Sequence, residues 1–336
     1  MVRINPKSTS DDHSGSIDEM KKILSNQKAL FINEPNIAWL KRKENLKKLG
    51  SIIKDHESDF INAISKDFGN RASEETIIAE MLVIQGGINH ALKHTPKWMR
   101  TRKAPTALQF KPAYNRVIPQ PLGVIGIMSP WNYPLQLAVM PLIGALGAGN
   151  RAMIKPSEYT PLFSKLLKKV LGKVFSEDEV YVALGGVDVA TCFSSLHFDH
   201  LIFTGSTNVG RIVAKSAAAN LVPCTLELGG KSPAIIDESA NLKTAVARLT
   251  NAKLLNAGQT CVCADRFLVH SSIHDEFIKK FVDVASGLQA GPGLDKETNM
   301  GPVITSQAAE SIHAKVLEAI EDGATCELGG NKLSSL

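Results

Sequence analysis

The chain has 336 residues, 44% of them hydrophobic, and a net charge of +5 from 38 basic and 33 acidic side chains. This is ordinary globular composition and excludes a largely disordered, collagen-like or disulfide-scaffold chain; at roughly 100–200 residues per domain the length fits two domains. The +5 is spread without an arginine-rich block or an aromatic-interleaved basic stripe, so no nucleic-acid partner is expected.

Residues 1–15 are polar and are expected to fray. From about Ile17 to Arg100 apolar residues recur at spacings of three and four, as at Ile61, Ile64, Phe68 and Ile77, Ile78, Met81, Leu82, which predicts helices. Asn70 and Ser73-Glu-Glu mark a break and a new helix start. The basic run Lys41-Arg42-Lys43 with Lys47-Lys48 reads as a solvated helix face. A basic, proline-marked turn from Thr95 to Pro105 ends this helical region.

Between Arg116 and Arg151 lie 34 residues without an Asp, Glu, Lys, Arg or His. Pro119, Pro121, Pro130, Pro134 and Pro141 interrupt them, so a buried soluble core is expected rather than a span of about 20 apolar residues. Strands are predicted at Leu122–Met128, Arg151–Lys155, Val180–Leu184 and Leu201–Phe203. Helices between them are predicted at Leu135–Leu146, Pro161–Val174, around Cys192, and from Val209 to Ala219. This alternation predicts right-handed βαβ units and a doubly wound parallel sheet. From about Pro223 a second α/β region is expected, with strands at Thr225–Glu227, Ala234–Ile236 and Arg266–His270 and a helix over Leu242–Leu255.

The five cysteines are an odd number, and the polar, acidic first twenty residues do not form a signal peptide; both point to free thiols and a cytoplasmic location. Cys-Val-Cys at 261–263 has no Cys-x-x-Cys partner, so no metal site is expected there. His90 and His94 share a helix face without the glutamate of a His-Glu-x-x-His zinc motif and read as surface residues.

Five segments carry chemistry, each with two readings. Cys261, in Gly258-Gln-Thr-Cys261, is a thiol on a tight turn: a nucleophile or an inert buried cysteine. Glu227, in Leu226-Glu-Leu-Gly-Gly-Lys231, is a desolvated general base or the ion-pair partner of Lys231. Gly205 and Ser206, in Phe203-Thr-Gly-Ser-Thr-Asn-Val-Gly210, form a phosphate-cradling turn or an ordinary capped helix start. Asn132, after Trp131 in Pro130-Trp-Asn-Tyr-Pro134, is an oxyanion donor or a helix cap. Lys155-Pro-Ser-Glu158 follows a strand, where open α/β sheets bind ligands, or is a solvated loop.

Together, and in this order, the five segments resemble the motifs of the aldehyde dehydrogenase superfamily. The Pro-Trp-Asn-Tyr-Pro-Leu wording resembles its class 3 branch, especially the coniferyl aldehyde dehydrogenases. The resemblance implies NAD(P)-dependent oxidation of an aromatic or aliphatic aldehyde to the acid. Cys261 would attack as thiolate to give a thiohemiacetal and then a thioester, Asn132 would hold the oxyanion, and Glu227 would activate water. Lys155 and Glu158 would meet the adenosine ribose, and Trp131, Gly205 and Ser206 the pyrophosphate region. The ribose carboxylate favours NAD, with NADP possible.

The resemblance further implies a helical N-terminal region and Rossmann-like NAD-binding domain over residues 1–222, and a catalytic domain over 223–336. It implies a homodimer for the full-length family. The sequence stops at Leu336 without the Glu-x-Phe-Gly-Pro motif of the family, so the catalytic domain is expected to be incomplete, as in a truncated chain. The rival expectation is a catalytically inactive family member that binds nucleotide or a partner subunit.

Overall fold

The computed structural model describes residues 11–333. Helix α1 (Asp11–Asn33) already includes part of the stretch expected to fray; residues 1–10 lie outside the described residues. It is followed by α2 (Trp39–Asp55), α3 (Glu57–Asp67) and, after the break at Asn70, α4 (Ser73–Thr76). A π-helical turn, Ile77–Met81, then runs into α5 (Leu82–Trp98). The basic turn beyond it contains a short antiparallel pair, β1 (Arg102–Ala104) with β2 (Asn115–Val117). No alternation in the sequence signals that pair.

The chain divides into two compact units. One comprises the chain up to Phe60 together with Ile78–Glu227, and the other Ile61–Ile77 together with Leu228 onward. The first holds a five-stranded sheet in the order β5-β4-β3-β6-β7. Its strands are β3 (Val124–Met128), β4 (Arg151–Lys155), β5 (Val180–Val182), β6 (His200–Gly205) and β7 (Cys224–Leu228). Pairings β3–β4, β3–β6 and β4–β5 are parallel. All five residues of β3 are buried, as a strand covered on both faces requires. The intervening helices are α6 (Pro134–Ala148), α7 (Pro161–Leu171), α8 (Val187–Ser194) and α9 (Thr207–Ala219). Ile127, Leu135, Leu142, Met153, Phe163 and Phe193 are fully buried and form the centre of this core.

Two expectations change here. β7, read from the sequence as the start of the second region, is the edge strand of the first sheet. Backbone pairing decides that, and side-chain pattern cannot reveal it. Arg42, read as part of a solvated face, is buried and donates to the carbonyls of Ile37 (2.8 Å) and Ala148 (2.6 Å) and to Asn36 Oδ1 (2.9 Å). Its neighbours Lys41 and Lys43 are exposed. The guanidinium thus satisfies the carbonyl end of α6 as well as the α2 entry, a use that burial permits because the charge is hydrogen-bonded.

The second unit has a two-stranded parallel sheet, β8 (Ser232–Ile236) with β9 (Ala264–Val269), with a register shift between Ser232 and Pro233. Helices α10 (Leu242–Leu254) and α11 (His274–Ser286) supply Val246 and Phe277, which with Ile236 make its small core. Phe267 packs edge-on against Phe277 and Phe281, with centroids 6.0 and 5.2 Å apart. Helix α12 (Ser306–Glu321) follows. Among the described residues no helix is long and apolar enough to cross a membrane.

Candidate active site

Strand register sets the level of three loops in the first unit. Met128, the last residue of β3, pairs in register with both Lys155 at the end of β4 and Phe203 in β6. The loops carrying Trp131 and Asn132, Lys155 to Glu158, and Gly205 and Ser206 therefore leave the sheet at one carboxyl edge. The order β5-β4-β3-β6-β7 puts the topological switch between β3 and β6, the place where open α/β sheets take ligands.

Lys155 is buried, while Glu158 is exposed. The Lys155 Nζ donates to the Pro156 carbonyl at 2.7 Å and lies 3.6 Å from Glu158 Oε2. Burial pushes the ammonium below the usual lysine range, and the Glu158 carboxylate opposes that shift. Beside it, the Ser129 N–H donates to the Lys155 carbonyl at 3.1 Å. The Ser129 hydroxyl is buried and has no hydrogen-bond partner among the described residues. The sequence motif drew attention to Lys155 and Glu158 but passed over Ser129, because a lone serine after a strand carries no pattern.

Asn132 and Trp131 are half-buried. Tyr133 occupies the N-cap position of α6. The first-turn amides of Leu135 and Gln136 donate to the buried Glu80 carboxylate, at 2.7 and 3.0 Å. Glu80 thus caps the first turn of α6 from the π-helical turn 55 residues earlier. A carboxylate inside the apolar run Ile77-Ile-Ala-Glu-Met81 was the available signal, since a buried charge needs donors.

At the end of β6, a Cβ on Gly205 would lie 2.5 Å from the tip of the Phe203 ring, which would have to shift to admit it. Ser206 caps α9 by accepting the Val209 N–H at 3.3 Å. The capped helix start is therefore real, and it leaves the helix N-terminus exposed. Glu227, on β7, is exposed, so the desolvation expected for it is absent. Pairing with Lys231 is absent too: Lys231 Nζ lies 2.6 Å from Asp265 Oδ2, and Lys253 holds the other oxygen at 2.6 Å. Those two ammonium groups hold the Asp265 carboxyl well below the usual range, at about 2.

In the second unit Cys261 is exposed and Cys263 is buried, its S–H donating to the Lys253 carbonyl at 3.7 Å. All five cysteines are free thiols. The turn before Cys261 is unusual. Asn256 and Ala257 have φ of 52° and 54°, and Gly258 has φ of 75°. Left-handed backbone costs an L-residue about 1–2 kcal/mol, so the surroundings must hold it in place. Gln259 does part of this: its Nε2 donates to the Asn256 carbonyl at 2.9 Å, and its Oε1 accepts the Ile304 N–H at 2.8 Å. In the same unit, a Cβ on Gly230 would lie 3.9 Å from the Cys261 carbonyl oxygen.

Among the described residues no group of three or more His, Cys, Asp or Glu side chains could hold a metal ion. Along α5, His94 stacks on Trp98 with centroids 5.9 Å apart, while His90 lies tilted against His94 (4.4 Å) and Trp98 (5.5 Å).

Residues 9–335 match the family model described as the aldehyde dehydrogenase family. The chain belongs to the aldehyde dehydrogenase family. A probable coniferyl aldehyde dehydrogenase of Pseudomonas aeruginosa is 43% identical over 309 residues, covering 92% of this chain and 64% of that protein. The 4,4'-diaponeurosporen-aldehyde dehydrogenase of Staphylococcus aureus is 44% identical over 70% of this chain and 51% of that protein. A substrate-bound AldH structure from Staphylococcus aureus has a TM-score of 0.82 at 36% identity, covering 90% of this chain and 66% of that one. The Mycobacterium tuberculosis aldehyde dehydrogenase complexed with NAD+ gives 0.88 at 28% identity, over 95% and 66%. This aldehyde dehydrogenase chain thus spans under two thirds of the length of these relatives.

Proposed function

We propose that this chain carries out NAD(P)-dependent oxidation of an aldehyde to the carboxylic acid, with aromatic aldehydes such as coniferyl aldehyde and aliphatic aldehydes as the substrate classes. The observation that carries the reading is Lys155. A desolvated ammonium beside Glu158, next to the unpartnered buried hydroxyl of Ser129, is a polar receptacle at the carboxyl edge of a parallel sheet, and it suits the hydroxyls of a nucleotide ribose. Lys155 and Glu158 would hold that ribose, while Trp131, Gly205 and Ser206 would face the pyrophosphate, which the exposed α9 N-terminus attracts. The Glu158 carboxylate would repel a 2'-phosphate, so NAD is preferred and NADP is the weaker ligand. When bound, the nicotinamide supplies the hydride acceptor.

The chain's own residues do the rest. The Cys261 thiolate adds to the aldehyde carbon, forming a C–S bond and placing the negative charge on oxygen. The Asn132 side-chain amide and the Cys261 backbone N–H donate to that oxygen. After oxidation the carbon is a thioester. Glu227 takes a proton from water, the hydroxyl adds to the thioester carbon, and the C–S bond breaks to release the acid. The exposed thiol of Cys261 and the exposed carboxylate of Glu227 are both open to solvent-borne reactants, which supports these roles. Within this proposal, dinucleotide binding falls to the domain over residues 1–222 and catalysis to 223–336, in the cytoplasm, with the homodimer belonging to the full-length family.

Cys261→Ala is expected to abolish aldehyde-dependent NADH formation, while Glu227→Gln stops at a thioester visible as a mass increase on the Cys261 peptide. NAD titration by calorimetry accompanies the assay. Binding without turnover in the wild-type chain would instead favour a nucleotide- or partner-binding role. Full turnover in Cys261→Ala would remove the mechanism.

A further inference from the structure

Gln259 contributes to holding the turn before Cys261. The turn also shares a cavity with the segment Ile61–Ile77, which belongs to the same compact unit. There the Glu75 carboxyl accepts the backbone N–H of Asn256, the first left-handed residue of the turn. Arg71, itself buried, places its Nε 3.8 Å from Glu75 Oε2. Arg71, Glu75, Asn256 and Ala257 line one small cavity together with Gly293. Gly293 fixes where this segment sits, because a Cβ on it would run into the carbonyl oxygen of Asn70 and lie 2.9 Å from the Ala72 nitrogen.

We propose that Glu75 is a positioning residue for the proposed nucleophile: with Gln259 it clamps Asn256 in its left-handed conformation and so fixes the backbone that presents the Cys261 thiol and N–H. The N–H of Asn256 goes to Glu75, and its carbonyl receives the Gln259 amide. Both backbone polar groups of this left-handed residue are thereby held. Desolvation pushes the Glu75 carboxyl up from the usual range, while Arg71 and the Asn256 N–H oppose that shift. The inference rests on Cys261 being the nucleophile and extends that reading to a residue almost two hundred positions away.

The test uses the full chain. Glu75→Ala is expected to raise amide hydrogen exchange at residues 256–261 by about ten-fold or more, with the β8–β9 amides unchanged. With an aromatic aldehyde and NAD, kcat is expected to fall about ten-fold, and KM for the aldehyde to change by less than about two-fold, because binding groups stay in place. Glu75→Gln keeps a carbonyl acceptor for the Asn256 N–H and is expected to restore both readouts most of the way. Should Glu75→Ala fail to fold, Glu75→Asp, which shortens the reach of the carboxylate, is expected to loosen the same amides. Exchange at 256–261 that matches the wild type in the folded variants, or that rises equally in β8 and β9, overturns the clamp. Turnover surviving in Cys261→Ala overturns the nucleophile reading instead. A wild-type chain without turnover also counts against that reading and leaves the exchange measurement to decide the clamp.

Discussion

The two compact units hold their sheets by different means. In the first, β3 is buried along its whole length, and α6 to α9 supply the apolar cover. In the second, β8 and β9 alternate: Ile236 enters a small core of Val246 and Phe277, while Ile235 is 79% exposed and Leu268 is 55% exposed. Where apolar area is scarce, polar contacts do more of the ordering, as in the Asp265 bridge between Lys231 and Lys253 and the Gln259 contacts at the Asn256 turn. The contrast matches the proposed division of labour. A nucleotide platform needs a rigid edge, and a nucleophile needs a particular backbone conformation, which hydrogen bonds specify better than apolar packing does.

The most direct way to break this comparison is the same substitution at the two kinds of position. Ile127→Ala, at a site with 0% exposure, is expected to cost about 2–5 kcal/mol in urea unfolding. Ile235→Ala, at 79% exposure, is expected to stay within about 0.5 kcal/mol. Equal losses would mean that the exposed face of β8 is covered. A smaller effect sharpens the polar side of the contrast in the first unit. Glu80→Ala leaves the α6 amides of Leu135 and Gln136 without their acceptor and is expected to cost about 2 kcal/mol by the same measurement.

A smaller loss again is the one specific to pH. Asp265 is held at about 2 by Lys231 and Lys253, below its ordinary carboxyl value. Its folded form therefore favours the carboxylate, so its stabilisation is fully present above the ordinary aspartate pKa, about 3.9, and is lost as pH falls from there toward 2. With the side chain 24% exposed, screening reduces the contribution to about 1 kcal/mol. Asp265→Asn is expected to lower stability by that amount at pH 6 and to match the wild type near pH 2, as followed by circular dichroism. A pH-independent difference would mean that the bridge acts through packing.

Much of this could be read in advance. Arg151–Lys155 is a strand with the same bounds in sequence and structure, because an apolar run closed by Gly149 and Pro156 leaves little choice. Leu242–Leu254 differs from its expected helix by one residue, with Asn241 capping it through the Thr244 N–H. The five motifs were equally legible, since each joins a turn residue to a chemical group. The environments of those groups were not. Glu227 is exposed where flanking leucines suggested desolvation, because alternation along a strand sends adjacent residues to opposite faces. Arg42 is buried in a run of lysines that are not, because only one face of α2 meets the sheet domain.

By itself the sequence determined the alternation of strands and helices, the parallel sheet that follows from it, the five motifs and the family they resemble. These depend on local pattern and on spacing along the chain, which the sequence states directly. The tertiary structure alone decided that β7 closes the edge of the first sheet, that Glu80 caps α6, that Lys231 belongs to Asp265, and that Glu75 reaches Asn256. Each of these joins residues through backbone pairing or a side chain's reach across the fold. Such partners are chosen by distance in space, and one-dimensional spacing carries no record of it.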